Sequence, residues 1–189
     1  MTNPEIELRS QLEAYQPADA AELERLQRMR MLCTAARPHS VSPFLRTSFE
    51  PGHFTASAFI LAPDRSALLL ILHAKLGRWL QPGGHVDATD ADLLAAARRE
   101  VHEEVGIQDQ DLELLQPGPI DVDIHHIPAR KAEPSHAHFD VRYLFRARTL
   151  QVRAASDAKA ARWVPLSQVD AELADGSVAR VVDKLRRLA

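Results

Sequence analysis

The amino-acid sequence predicts an α/β fold: a mixed β-sheet between helices in an α/β/α sandwich, with a helical extension at the N-terminus. Three observations predict it. Apolar residues recur at helical intervals over residues 5–35, and strand-like runs take over from residue 53. A single amphipathic helix over residues 91–105 interrupts those strands. A last helix closes the chain, with Val178, Val181, Val182 and Leu185 on one stripe. Helices, strands, one central helix, strands and a helix are the elements of a sandwich around one sheet.

The bulk numbers fit this class. The chain has 189 residues, 46% hydrophobic and 26% charged, with a net charge of -3. That length suits one domain with a buried core. The charge offers no overall basic field for long nucleic acid or an anionic membrane. The single cysteine, Cys33, can form neither an internal disulfide nor a zinc framework, and reads as a small apolar residue in a helix. The start "MTNPEIELRS" lacks the basic and apolar segments of a signal peptide. The longest apolar run, around "ALLLILHA", is too short to span a bilayer. The expectation is a cytoplasmic protein.

Element by element, "PEIELRSQLEAY" and "DAAELERLQRMRMLCTAA" read as two helices, with Asp19 as a cap and Pro38 beyond the second end. Residues 36–52, with Pro38, Pro43, Pro51 and Gly52, read as a connector. "HFTASAFIL" and "ALLLILHA" read as strands split by the turn "APDRS". "GRWLQPGGHVDATD" reads as a loop with a short strand, and Pro82-Gly83-Gly84 as a tight turn whose bare backbone can approach a metal or a phosphate. "GPIDVDIHHI" and "HAHFDVRYLFRA" read as two strands able to pair as a long hairpin, and "AARWVPLSQV" as a late strand.

On the central helix, Glu100, Glu103 and Glu104 share one narrow arc, beside a stripe of Leu94, Ala97, Val101 and Val105 that should pack on a sheet. Like charges this close raise each other's pKa, a penalty that a bound cation reverses. Arg99 lies one turn before Glu103 and can orient a carboxylate. Gly106 can end the helix with positive φ. A solvated acidic face competes with this reading while the helix is considered alone.

The stretch "GGHVDATDADLLAAARREVHEEVGI" resembles the Nudix box of the Nudix hydrolases. That pattern runs glycine, five residues, glutamate, seven residues, then R-E-U-x-E-E-x-G-U, with U aliphatic. Arg99, Glu100, Val101, Glu103, Glu104, Gly106 and Ile107 fill every fixed slot of the second half. In the first half, five residues separate Gly84 from Asp90, which stands where the family has glutamate, and eight separate Asp90 from Arg99. The box at residues 84–107 therefore has a first half one residue longer than the pattern, which leaves the parts of Asp87 and Asp90 open. The resemblance divides the chain into a helical extension and connector, residues 1–48, and a Nudix hydrolase domain, residues 49–189.

The resemblance implies Mg²⁺ or Mn²⁺ held by Glu100, Glu103 and Glu104, with the Gly84 carbonyl as a further ligand. It implies hydrolysis of a pyrophosphate bond in a nucleoside diphosphate linked to another moiety, a small-molecule nucleotide substrate. Glu104 and Glu100 are the box candidates for the general base, Arg99 joins them as the residue orienting a carboxylate, and Glu133 is a downstream candidate. Nucleoside triphosphates, nucleotide sugars and capped RNA ends all stay open as substrates.

Period two places His136, His138, Asp140 and Arg142 on one strand face, and Asp121, Asp123 and His125 together on its neighbour. A solvent-facing sheet, a substrate wall with His138 and Arg142 meeting phosphate, and a histidine metal site compete for these residues. Lys75 and Arg78 lie near the glycine turn and can meet phosphate; Trp79 reads as packing beside it. The added helices can cover a sheet end, form a homodimer contact or shape the pocket. Two rivals remain: a Nudix-like domain that binds or senses a nucleotide without hydrolysis, and an isomerase of the isopentenyl diphosphate type. The latter uses a cysteine near its site, whereas Cys33 lies in the added helices.

Overall fold

A computed structural model describes residues 4–35, 42–130, 133–156, 158–170 and 172–188. Pro38, expected beyond the second helix, lies outside them. The chain runs through α1 (Pro4–Ala14), α2 (Ala20–Thr34), β1 (Gly52–Leu61), β2 (Ala67–His73), β3 (Trp79–Leu80), β4 (Gly83–His85), α3 (Leu93–Val105), β5 (Leu112–Leu114), β6 (Asp121–Ile127), β7 (His136–Ala147), β8 (Ala158–Pro165) and α4 (Gly176–Leu188). Among the described residues no helix is long and apolar enough to cross a membrane.

The helix ends have the chemistry their sequences suggest. Asp19 caps α2 by accepting the Glu22 N–H at 2.8 Å. The central helix starts two residues later than expected, because Asp92 caps it by accepting the Ala95 N–H at 2.7 Å. Gly106 ends it in the left-handed region, at φ 74°. The glycine pair departs from the expected tight turn: Gly83 and Gly84 belong to a strand, paired with Ser57 and Ala56 of β1.

β1 and β7 lie parallel at the centre of the sheet, in register from Gly52↔Ala137 to Leu61↔Arg146. Every other strand pairing is antiparallel. Each central strand exchanges its second partner part-way along. β1 pairs with β4 through Thr55–Ser57 and with β2 at Leu61. β7 pairs with β6 through His136–Arg142 and with β5 through Phe145–Ala147.

Alternation along these strands sorts the layers. Phe54, Ala56, Ala58, Phe139, Val141, Tyr143 and Phe145 face a core built with Ala97, Val101 and Val105 of α3 and with Leu8, Leu12, Leu26 and Met29 of α1 and α2. The N-terminal helices thus share one core with the sheet, and Cys33 is buried in it. On the opposite face, Phe59, Leu61 and Leu144 pack under Val178, Val181, Val182 and Leu185 of α4.

The rest of that second face is polar and largely buried. β6 and β7 form the expected hairpin, with Asp121 opposite Arg142, Asp123 opposite Asp140 and His125 opposite His138. Much of it is not the solvent-facing sheet that was one of the expectations, since Asp121, Asp140 and Arg142 are buried. The Arg142 guanidinium binds Asp140 at 2.8 Å, Asp123 at 3.1 Å and Asp121 at 3.2 Å. Arg180 of α4 reaches Asp121 at 2.8 Å and Asp123 at 3.0 Å. Lys184 donates to Asp121 at 2.6 Å and to Glu22 of α2. Burial by itself would raise the Asp121 and Asp123 carboxyls. The cations beside Asp121, and His125 with Arg142 and Arg180 beside Asp123, more than offset it and hold both below the usual carboxylate range.

Glu22, 0% exposed, carries this network into the N-terminal helices, where it also accepts from Tyr15 Oη and the Ala18 N–H. Removing one partner of a buried pair strands the other charge. Glu22→Ala should therefore lower unfolding stability by about 3–5 kcal/mol, whereas Glu22→Leu with Lys184→Met should cost much less. Urea unfolding of both variants checks this; equal losses would refute it.

Candidate active site

The three helix carboxylates differ in exposure by which way each faces. Glu104 is 4% exposed and accepts the Gly83 N–H at 3.0 Å. The Glu100 side chain is 15% exposed and that of Glu103 46%. The strand containing Gly83 and Gly84 runs between β1 and this part of α3, and Gly83 is pressed against β1 while Gly84 is pressed against α3. A β-carbon on Gly83 would lie 2.6 Å from the Ala56 carbonyl oxygen, and one on Gly84 would lie 2.6 Å from Glu100 Oε1. The Glu100 carboxyl is raised above its ordinary value, and burial is the largest cause. Arg99 opposes the rise, and the like charges of Glu103 and Asp90 add to it. Like-charge repulsion, the cause expected from the sequence, is the lesser one.

Arg99 uses all its donors. It grips Asp90 through Nε at 3.1 Å and Nη2 at 2.9 Å, the His85 carbonyl at 2.8 Å, Glu100 at 2.9 Å and Glu103 at 3.2 Å. It is absent from the cleft lining, and these bonds all go to groups of the protein itself. The grip also resolves the part left open for Asp90. The Asp90 N–H donates to the Asp87 carbonyl at 3.0 Å, and the Asp87 N–H to Asp90 Oδ2 at 2.8 Å. This turn leaves the Asp90 side chain buried against Arg99, while Asp87 stays 69% exposed, 3.8 Å from the guanidinium.

Glu100, Glu104, Gly83 and Gly84 face a cleft of about 500 Å³. Its other wall is the polar half of the β1–β7–β6 face, including Thr55, Ser57, His125, His138 and Asp140. Asp140 accepts from Thr55 Oγ1 at 3.0 Å and Ser57 Oγ at 2.9 Å. A larger hollow, about 780 Å³, lies between α1 and residues 114–120; it carries Glu7, Lys184 and Arg187 but none of the box carboxylates.

Five imidazoles gather at the start of the parallel strands. His53 and His138 are register partners, with rings 4.7 Å apart, and His85, His125 and His136 lie 5.0, 5.3 and 5.1 Å from His138. Burial is the main cause that lowers His53, takes His85 down to about 4 and takes His138 down to about 2.

The remaining expected residues divide. Lys75 and His138 line the cleft. Arg78 does not, and is ion-paired with Asp175 at 3.1 Å. Arg142 borders the cleft, but its five N–H donors go to Asp121, Asp123, Asp140 and Ser177, which leaves none for a phosphate. Glu133 is half exposed and paired with Arg46 at 3.4 Å, outside the lining. Trp79 packs against the α4 core under the Arg162 guanidinium, 4.2 Å from its ring. Sequence reasoning missed Thr55, Ser57, His53 and His85. The signal for the first three was present: polar side chains at period two in a strand otherwise apolar.

Comparison with known proteins agrees with this geometry. The family model for the NUDIX domain matches residues 51–185. A 34-residue stretch is 59% identical to "Uncharacterized Nudix hydrolase NudL" of Enterobacter sp. (strain 638), a match spanning 18% of this chain and 18% of that protein. Among solved structures, the E. coli dihydroneopterin triphosphate pyrophosphohydrolase superposes with a TM-score of 0.58 at 20% identity, covering 72% of this chain and 96% of that one. The NUDIX domain of Shewanella oneidensis NrtR, complexed with ADP ribose, gives 0.54 at 19% identity, covering 85% and 98%. A NUDIX-family hydrolase from Clostridium perfringens gives 0.54 at 22% identity, covering 70% and 97%. These likenesses show the fold, and the family match extends from the start of β1 into α4 through the whole cleft: the chain belongs to the NUDIX family.

Proposed function

We propose that the chain is a Mg²⁺- or Mn²⁺-dependent pyrophosphohydrolase acting on a nucleoside diphosphate linked to another moiety. One observation carries this reading: Glu100 and Glu104 face one cleft beside the bare backbone of Gly83 and Gly84, each oriented by its own donor. The residues fit a hard divalent ion. The donor set is all oxygen, and the missing β-carbon lets the Gly84 backbone lie directly against the Glu100 carboxylate. Glu100, Glu104 and the Gly84 carbonyl would hold such an ion, with Glu103 at the outer edge. When bound, it would neutralise phosphate charge and lower the pKa of a water.

The chain's own groups supply the rest. Arg99, anchored on Asp90, fixes Glu100 and Glu103 so that their carboxylates need little reorganisation. The Gly83 N–H fixes Glu104. The proton of the attacking water passes to Glu100 or Glu104, the box carboxylates that line the cleft. Lys75 and His138 offer contacts for the substrate from the facing walls.

The direct test is a panel of nucleoside diphosphate derivatives assayed for phosphate or nucleotide release with and without Mg²⁺. Release that requires Mg²⁺ and disappears in Glu103→Gln and Glu104→Gln is expected. Binding without release from any member would leave the nucleotide-binding reading. Gly84→Ala offers a finer check. The atom its β-carbon meets is the end of a flexible side chain, so the fold should survive with an unchanged melting transition. Displacing Glu100 should nonetheless cost about 100-fold in kcat. Normal turnover in this variant would separate Glu100 from the chemistry. Asp90→Ala should lower activity or Mg²⁺ affinity by about 10–100-fold, as loss of an orienting partner does; a Mg²⁺ titration of turnover measures it.

A further inference from the structure

We propose that His53, His136 and His138 form a second metal site, of the imidazole-ligated Zn²⁺ class, separate from the box carboxylates. One ligand atom from each of these residues lies within 4.8 Å of the others. The parallel register sets His53 beside His138, and period two brings His136 onto the same face.

The hydrogen bonds orient the nitrogens. His53 Nδ1 donates to the Ser48 carbonyl at 3.1 Å, and His136 Nδ1 to the Pro134 carbonyl at 2.8 Å. A carbonyl only accepts, so both Nδ1 atoms carry the proton. The lone pairs of these two residues are then on Nε2. Tying Nδ1–H to a backbone carbonyl is how metal-bound histidines are commonly held. His53 is 0% exposed, and its Nε2 is buried with no hydrogen-bond partner. An imidazole cluster held only by hydrogen bonds leaves that atom unsatisfied, at a cost of about 1–3 kcal/mol. A metal ion satisfies it.

For one pair of these ligands the distance agrees with this. Metal–nitrogen bonds of about 2.0–2.1 Å at a tetrahedral angle place neighbouring ligand nitrogens about 3.3 Å apart. His136 Nε2 and His138 Nε2 are 3.3 Å apart. Imidazole selects Zn²⁺, Cu²⁺, Ni²⁺ or Fe²⁺, whereas the carboxylate and carbonyl set on α3 and β4 suits Mg²⁺ or Mn²⁺. Three protein ligands leave a position for water or another group. His138 also lines the cleft, so the ion would sit in its wall. The site uses none of the box residues and does not depend on the hydrolase reading.

Co²⁺ added to chelator-treated protein is the probe. One equivalent per chain should give the intense visible absorption of a four-coordinate site, displaced by Zn²⁺ and unaffected by excess Mg²⁺. His136→Asn and His138→Asn, checked for folding by circular dichroism, should lose the band. Glu100→Gln with Glu104→Gln should keep it. Wild-type protein that shows only the weak absorption of an oxygen-ligated ion, or loses its band to Mg²⁺, overturns the proposal whatever the variants do. So does a band that survives in a folded histidine variant.

Discussion

The Arg142 guanidinium is the fixed point of the molecule. It is fully buried and is bonded at once to Asp121, Asp123 and Asp140. Three carboxylates in such a place would otherwise repel one another and the chain around them. With Arg142, Arg180 and Lys184 among them, and Arg25 3.9 Å from Asp123, each keeps a counter-charge. The consequence reaches in two directions. Toward the cleft, Asp140 is held facing Thr55 and Ser57, which become its floor. Away from it, Lys184 passes the network to Glu22, so the N-terminal helices are locked to α4 and β6 by charge as well as by apolar contact.

The same strand pair explains why the cleft sits where it does. β1 and β7 run parallel; on one face the first halves of both carry polar side chains, followed by Phe59 and Leu61 on β1 and Leu144 on β7. α4 covers the apolar half. The polar half remains for the cleft, bordered by β4 on one side and β6 on the other. Gly84 in β4 then lets the strand lie against the Glu100 carboxylate of α3, beside the Gly83 N–H that Glu104 accepts.

Legibility in the sequence followed the range of the interaction. The α3 carboxylates, the Arg99–Glu103 spacing, the Gly106 stop and the Asp19 cap are local, and periodicity with capping chemistry was enough to find them. The β6–β7 hairpin was legible for a similar reason. The parallel pairing of β1 with β7 was not, because strands separated by a long intervening chain leave no local mark of which is the partner or in what register. That pairing sets His53 beside His138, and β4 adds His85, so a histidine metal site was weighed for the β6 and β7 histidines alone and the two other imidazoles escaped notice. Arg142 shows the converse error. Its alternation with His138 suggested a phosphate contact, but only the tertiary structure reveals three aspartates already occupying its donors. Asp90 lay in between: its spacing to Arg99 departs from the family pattern by one residue, and only the structure shows it gripped by that arginine beside a turn at Asp87–Asp90.

What orients each polar group in the cleft separates two kinds of donor. On the α3 side the donors are oxygens, held by a guanidinium and a backbone amide, which tolerate a highly charged ligand because Arg99 offsets part of their mutual repulsion. On the β1–β7 side they are imidazoles, two of them held by backbone carbonyls through Nδ1, and burial lowers the pKa of His53 and His138. Neutral nitrogen donors attract little from solvent and discriminate by geometry and softness, whereas carboxylates attract any cation and discriminate by charge. Both sets sit on the central strands or against them, where side-chain directions are fixed by pairing on both flanks. The two sets therefore stay apart: Glu100 and Glu104 line the cleft, and of His53, His136 and His138 only His138 meets it, in its wall.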